Sequence, residues 1–383
     1  MGIIQKASIN KIFKYNKYNL INIIQITINK EKRNYGIDLL RIISMINIIN
    51  LHINLRTGYL NLNSDNIKFK NRWRLESFSY FAVDCFGLIS GIVGFNKYKF
   101  SNLIYIWFIS LFYSISKHTY LFIENKINLK DLLLSFFPIL IKFHWYVNAY
   151  FIMYLFIPFI NYGIKLIKKK TFRNLVYFYI LFFSLYYICS ALFQKTDYNF
   201  LIGGYSSSWL TILYIIGSYL GKYILGNKLN KIFKCIYLMN YVGFSFLSSE
   251  IFFITGNKLL INYLSPTTLF QSLSLVMIFN SVKITNKYII KIIKFITPLT
   301  FSATLIHSII FSLKLKIILS LLVSIRKLNN NFLFFKIYII SVMIFILCVI
   351  LDFLRFSLFK ILKIREFCIF IERIFPKIFD IFF

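Results

Sequence analysis

Long apolar stretches follow one another from Ile37 nearly to the C-terminus, and this recurrence limits the possible folds more than any other feature. About 20 apolar residues suffice for a helix to cross the hydrocarbon core of a bilayer. Lipid offers no water to satisfy peptide N–H and C=O groups, so spanning segments must bond internally as helices. With 58% hydrophobic and 20% aromatic residues over 383 positions, no segment remains that could hold a soluble core of its own. The expected fold is all-α: a polytopic integral membrane protein with about ten transmembrane helices. The expected spans lie near 37–55, 75–95, 102–123, 143–163, 174–193, 208–225, 235–255, 266–283, 296–315 and 332–354. The segment 129–141 reads as a short re-entrant or surface helix, and the broken run 18–28 as a surface helix.

Charge then orients the bundle. Forty-five Lys and Arg against 13 Asp and Glu give a net charge of +32, which in a soluble chain would suggest nucleic acid. Here the cations sit mainly between the apolar segments, so they read as orientation signals and contacts to anionic membrane lipids, with no nucleic-acid partner. The strongest basic loop is KLIKKKTFR at 165–173. It agrees with a basic cytoplasmic segment at 1–34, a membrane domain over 35–354 and a basic cytoplasmic tail at 355–383. One segment disagrees: Arg56, Lys68, Lys70, Arg72 and Arg74 fall on the side this topology places outside. The five cysteines show neither disulfide-framework nor metal-site spacing, and no metal is expected.

Three ionisable groups interrupt the first apolar stretch, YGIDLLRIISMINIINLH. At about 100° per residue, Arg41 and His52 share one helix face, roughly 16 Å apart along the axis. Asp38, three residues before Arg41, pairs with it on that face. Such groups normally face a protein interior or a wet cavity. The simpler reading is an ion pair closing the inner helix end and a histidine near the outer surface. The intramembrane charge is concentrated in the first two spans, the second carrying Glu76 and Asp84.

The stretch 35–52 resembles the opening helix of the integral-membrane acyltransferase-3 family, whose hallmark is a basic residue, ten intervening residues and a histidine. Arg41 and His52 have that spacing. The resemblance continues in order through FAVDCFGLISGIVGF, HWYVNAYFIMYLFIPFIN, GGYSSSWLTILYIIGSYLGKY, SPTTLFQSLSLVMIF and ITPLTFSATLIHSII. The wording around Val83–Gly94 and Gly203–Tyr223 is most similar to capsular and surface-polysaccharide O-acetyltransferases. The resemblance implies a multi-pass protein of the bacterial cytoplasmic membrane that moves an acetyl or other small acyl group from cytoplasmic acetyl-CoA. The acceptor would be a hydroxyl of a polysaccharide or lipid-linked glycan. Many members carry an RxxR motif after the second helix, attributed to donor binding. Here Lys97-Tyr98-Lys99 stands in that place, and lysines supply point charges without the bidentate fork of Arg.

Acyl transfer to an alcohol needs a base near the hydroxyl, and neutral imidazole suits that role. His52 is the first candidate, with Asp84 or Glu76 as the carboxylate that orients it. Asp84 reads equally well as a helix-packing hydrogen bond. His307 is either a second base or a core imidazole bonded to a Ser or backbone carbonyl, and His144-Trp145 reads first as an interfacial anchor. Arg41 (paired with Asp38), Lys97 and Lys99 are the candidate donor-phosphate cations. Ser90-Gly91 suggests close helix packing, and Ser206–Ser208 a helix cap. The rival function is transport of a polysaccharide or lipid-linked oligosaccharide. It predicts charge spread over several helices and paired halves with broken helices, which the sequence does not show. A silent member acting as sensor or scaffold is a third reading, against which Arg41 and His52 stand.

Overall fold

The computed structural model describes residues 33–57, 60, 67–95, 98–193, 201–225, 229–313 and 333–374. The chain divides into two units, Met1–Tyr35 and Gly36–Phe383, and the candidate site lies in the second. The basic N-terminal segment with its expected surface helix at 18–28, and Lys97, lie outside the described residues.

Every regular element among the described residues is helical. In chain order these are α1 (Tyr35–Thr57), α2 (Ile67–Ser79), α3 (Phe81–Gly94), α4 (Phe100–Ile123), α5 (Leu129–Leu134), α6 (Trp145–Leu166) and α7 (Lys169–Leu192). There follow α8 (Ser207–Tyr223), α9 (Lys231–Thr255), α10 (Pro266–Asn280), α11 (Lys287–Ile296), α12 (Thr300–Ser312), α13 (Leu333–Ile361) and α14 (Ile364–Ile374). Seven candidate spans are long and apolar enough to cross a membrane, among the described residues. Two of them join adjacent helices: Phe69–Gly94 runs through α2 and α3, and Lys287–Ser312 through α11 and α12. The other three expected spans are also helices. Two of these, α8 and α10, are short at 17 and 15 residues; the third, α4, is diluted by Ser, Asn, Tyr and Lys.

Local chemistry sets several helix ends. Ser206 caps α8 by accepting the Trp209 N–H, as its position suggested, and Ser265 caps α10, with Pro266 at the first turn. The expected short helix within 129–141 is α5, whose Leu129, Leu133 and Leu134 are exposed.

Helices in lipid gain little from hydrophobic burial against one another, so close backbone approach and polar contacts decide which pairs form. The most extensive pairing is α3 with α8. Each carries two glycines four residues apart, Gly87 and Gly91 on α3, Gly217 and Gly221 on α8. A Cβ on Gly91 would stand 2.0 Å from the Tyr214 carbonyl oxygen, and one on Gly217 would stand 2.1 Å from that of Leu88. The packing expected at Ser90-Gly91 is therefore backbone against backbone.

The anomalous basic segment also has an account. Most of it is α2, which packs on α9. Arg72 is fully buried and donates to Asn54 of α1 at 3.0 Å. Arg74 forms a 2.7 Å salt bridge with Glu250 of α9. Two of its cations are thus engaged by protein partners, Arg72 in the interior and Arg74 at the surface.

One expectation is corrected here. Intramembrane charge is not confined to the first two spans, because Asp352 and Arg355 form a buried pair within α13, which runs unbroken to Ile361. The tail expected from 355 onward therefore begins inside a helix.

Candidate active site

α1 places its ionisable groups as the helical spacing predicts. Arg41 donates to Asp38 at 3.1 Å, and the unbroken helix keeps His52 roughly 16 Å further along the same face. That face meets α12. Thr304 donates to the Met45 sulfur at 3.3 Å, and the rings of His52 and His307 meet edge to face with centroids 4.8 Å apart. Both contacts ascend α1 and α12 in the same order, so the two helices run in one direction. Phe311, one turn beyond His307, stacks parallel to His52 at 6.4 Å.

Two candidate bases, 255 positions apart in the chain, are thus neighbours. Their surroundings differ. His307 is fully buried, and its Nδ1 lies 2.7 Å from the Ala303 carbonyl oxygen. A carbonyl only accepts, so Nδ1 carries the proton and the neutral ring presents a lone pair at Nε2. That Nε2 has no hydrogen-bond partner in the described structure. His52 is only half-buried and makes no hydrogen bond among the described residues. Of the two, it is the less buried ring.

A third imidazole completes the group. His144, at the start of α6, is buried, has an unpartnered Nδ1, and lies within electrostatic range of both His52 and His307. Its burial leaves the interfacial anchoring expected of the HW dipeptide to Trp145, which is half-buried. Trp145 beside it packs on Tyr146 and Tyr205. The sequence signals for His144 were its place at the start of an apolar helix and at the head of one piece of the family resemblance.

Neither carboxylate orients His52 by a hydrogen bond, a correction to the expected role. Asp84 accepts from the Trp209 indole N–H at 3.0 Å, the helix-packing alternative, and so ties α3 to α8. Glu76 accepts from Asn54 at 3.0 Å, and Asn54 in turn accepts from Arg72, giving a buried Arg72–Asn54–Glu76 relay. Asn50 donates to Ser79, and Ser79 to Asn47, extending polar contacts between α1 and α2. These groups occupy the face of α1 turned away from His52, since Asn47 lies about 140° round the helix from it. A cavity of about 610 Å³ opens on that far face, lined by Ile43, Asn47, Phe78, Ser79, Tyr241 and Phe279 among others.

Of the expected donor cations, Arg41 is a quarter exposed and Lys99 is exposed. The Lys99 carbonyl accepts from Tyr154 of α6 at 3.2 Å. Tyr154 begins a ladder of rings along one face of α6. Tyr150 and Tyr146 follow at successive turns, each pair 6.0 Å apart, and both lie within electrostatic range of Arg41. The ladder leads from Lys99 towards His144, beside the path from Arg41 to His52.

Comparison with known families matches residues 34–352 to the acyltransferase-3 family, described as an acyltransferase domain. The match covers most of the chain and includes Arg41, His52 and His307. This chain belongs to the acyltransferase-3 family. It is a membrane acyltransferase, with the histidine group just described inside the matched domain. No curated protein and no solved structure matches it. The helix α14 and the last turns of α13 lie beyond the matched residues.

Proposed function

We propose that this acyltransferase moves an acetyl or other small acyl group from acyl-CoA on the cytoplasmic side to a hydroxyl of a cell-surface polysaccharide or lipid-linked glycan. The observation that carries the reading is α1 itself. One rigid helix holds a cation and a half-buried imidazole roughly 16 Å apart, a span on the order of an extended pantetheine arm. A donor held by its phosphates near Arg41 and Lys99 would bring its thioester alongside the Tyr150 and Tyr146 rings to His52.

In the proposed reaction, a nitrogen of His52 takes the proton of the acceptor hydroxyl as its oxygen attacks the thioester carbonyl. The new C–O bond forms, the C–S bond breaks, and the departing sulfur takes the proton to leave as the CoA thiol. His307 supports this step as a neutral ring. Its Nδ1 proton is committed to Ala303, so its lone-pair edge is available beside His52.

One of the two arguments against the transport reading falls away. The Asp352–Arg355 pair does place charge in a late helix, but the family match is to acyl transfer. Mass spectrometry of surface glycans from cells with and without the protein tests the proposal. Loss of acetyl or other acyl substituents on deletion is expected; identical glycans in both would refute it.

A further inference from the structure

The helix α14 lies outside the matched family domain, and its placement is not accidental packing of a tail. It docks on α4, with Phe367 against Phe108 and Cys368 buried. This docking brings Arg365 to the end of the bundle where Lys99 stands. Arg365 donates through Nη2 to Asn102, and its guanidinium lies over the Tyr105 ring at 5.1 Å. Asn102 donates in turn to the Tyr154 hydroxyl at 3.2 Å, the same hydroxyl that bonds the Lys99 carbonyl. Arg365, Asn102, Tyr154 and Lys99 therefore form one connected set at the foot of the tyrosine ladder.

The way Arg365 is held distinguishes it from an arginine used only for cohesion. One nitrogen is bonded and one face is covered, but Nε and Nη1 make no hydrogen bond among the described residues, and the side chain is half-exposed. A planar edge with two N–H groups is the geometry that binds phosphate oxygens in parallel, which a lysine cannot supply. Arg365 also sits in the first turn of α14, where unpaired amide N–H groups give the helix a positive end. Two carboxylates bound the region. Glu366 is exposed on the neighbouring face, and Glu372 lies two turns along α14 beside Tyr98.

We propose that Arg365 is a phosphate-binding residue for the nucleotide part of the acyl donor, acting with Lys99 at the foot of the ladder. The C-terminal helix thus supplies the guanidinium that Lys97-Tyr98-Lys99 lacks. The assignment to a donor rests on the acyl-CoA reading above; the affinity for phosphate does not.

The test uses the full-length protein in lipid nanodiscs, titrated separately with CoA and with inorganic pyrophosphate. Arg365→Ala is expected to weaken CoA binding about 10-fold or more. Arg365→Lys should weaken it less, Arg373→Ala (exposed on the same helix) should leave it unchanged, and use of S-acetylpantetheine should be equal in all four proteins. Unchanged CoA affinity in Arg365→Ala overturns the proposal while leaving the donor reading intact. Pyrophosphate binding that depends on Arg365, without CoA binding, upholds the phosphate site and refutes the donor reading. Failure of the wild-type protein to bind either probe refutes both. Protection of Cys368 from thiol labelling, read by mass spectrometry, reports whether α14 stays docked. Where Arg365→Ala exposes it, Arg365→Lys with Cys368 still protected decides: weaker CoA binding supports the proposal, and wild-type affinity overturns it.

Discussion

Two of the groups of ionisable side chains buried among the described residues are bonded in opposite ways. In α13, Asp352 accepts from Tyr113 at 2.7 Å and from Arg355 through both oxygens. Arg355 also donates to Tyr105 and Ser302 and lies over Phe359 at 4.8 Å. The pair thereby ties α13 to α4 and α12. The histidine group, by contrast, leaves His307 Nε2 and His144 Nδ1 without partners, and His52 without any hydrogen bond among the described residues. Buried polar groups are normally satisfied, and those that are not call for an explanation. Saturation marks the Asp352–Arg355 pair as a clamp. Open valence is what the proposed acyl transfer asks of the histidines.

The largest effect expected from this contrast is on rate. His52→Gln keeps size and hydrogen-bonding capacity but removes the base, and acylation should fall roughly 10²–10⁴-fold with normal abundance and thermal stability. Loss of activity in His307→Gln with near-normal rates in His52→Gln would move the base to α12. The clamp should respond in stability. Arg355→Met alone strands Asp352 and should cost about 3–5 kcal/mol, seen as a lower unfolding temperature in detergent, whereas Asp352→Leu with Arg355→Met should be close to neutral. A double variant as unstable as the single one would mean that the pair does more than satisfy itself. Smaller again, Gly217→Ala forces a Cβ onto the Leu88 carbonyl and should cost about 1–3 kcal/mol by overpacking. The smallest effect is Trp209→Phe, which removes one hydrogen bond to Asp84 and should lower stability by about 1 kcal/mol with little change in rate. A collapse of rate there would bring Asp84 back into the chemistry.

What could be read in advance follows the range of the interactions. Apolar run length specifies helices in lipid, so the helical fold was legible, as was the end capped at Ser206. Asp38, Arg41 and His52 lie on one helix, and helical spacing alone places them on one face. The partners of His52 come from α12 and α6, and nothing in local spacing marks His307 or His144 as its neighbours. Asp84 illustrates the same limit, since its bond to Trp209 spans 125 positions. The Asp352–Arg355 pair did carry a local signal, an acid and a base three residues apart in an apolar run. It was obscured because Arg355 read as the first residue of a basic tail.

Catalysis across a membrane requires that donor and acceptor reach one point without opening a leak, so some part of the protein must hold still while others yield. The contact of α3 with α8 identifies the still part. Glycine backbones that touch cannot slide past each other by fractions of a turn, because carbonyl oxygens fill the space that side chains would otherwise leave adjustable. The two helices behave as a single keel. Asp84 and Trp209 pin it near the start of each helix, and the Tyr214 hydroxyl, which donates to Asn161 at 2.8 Å, fastens α6 to its flank. α6 carries the tyrosine ladder and His144. The wall along which the donor is proposed to lie is thus fixed to the keel, and any compliance that the proposed glycan acceptor requires would fall to helices outside it, such as α1 and α12.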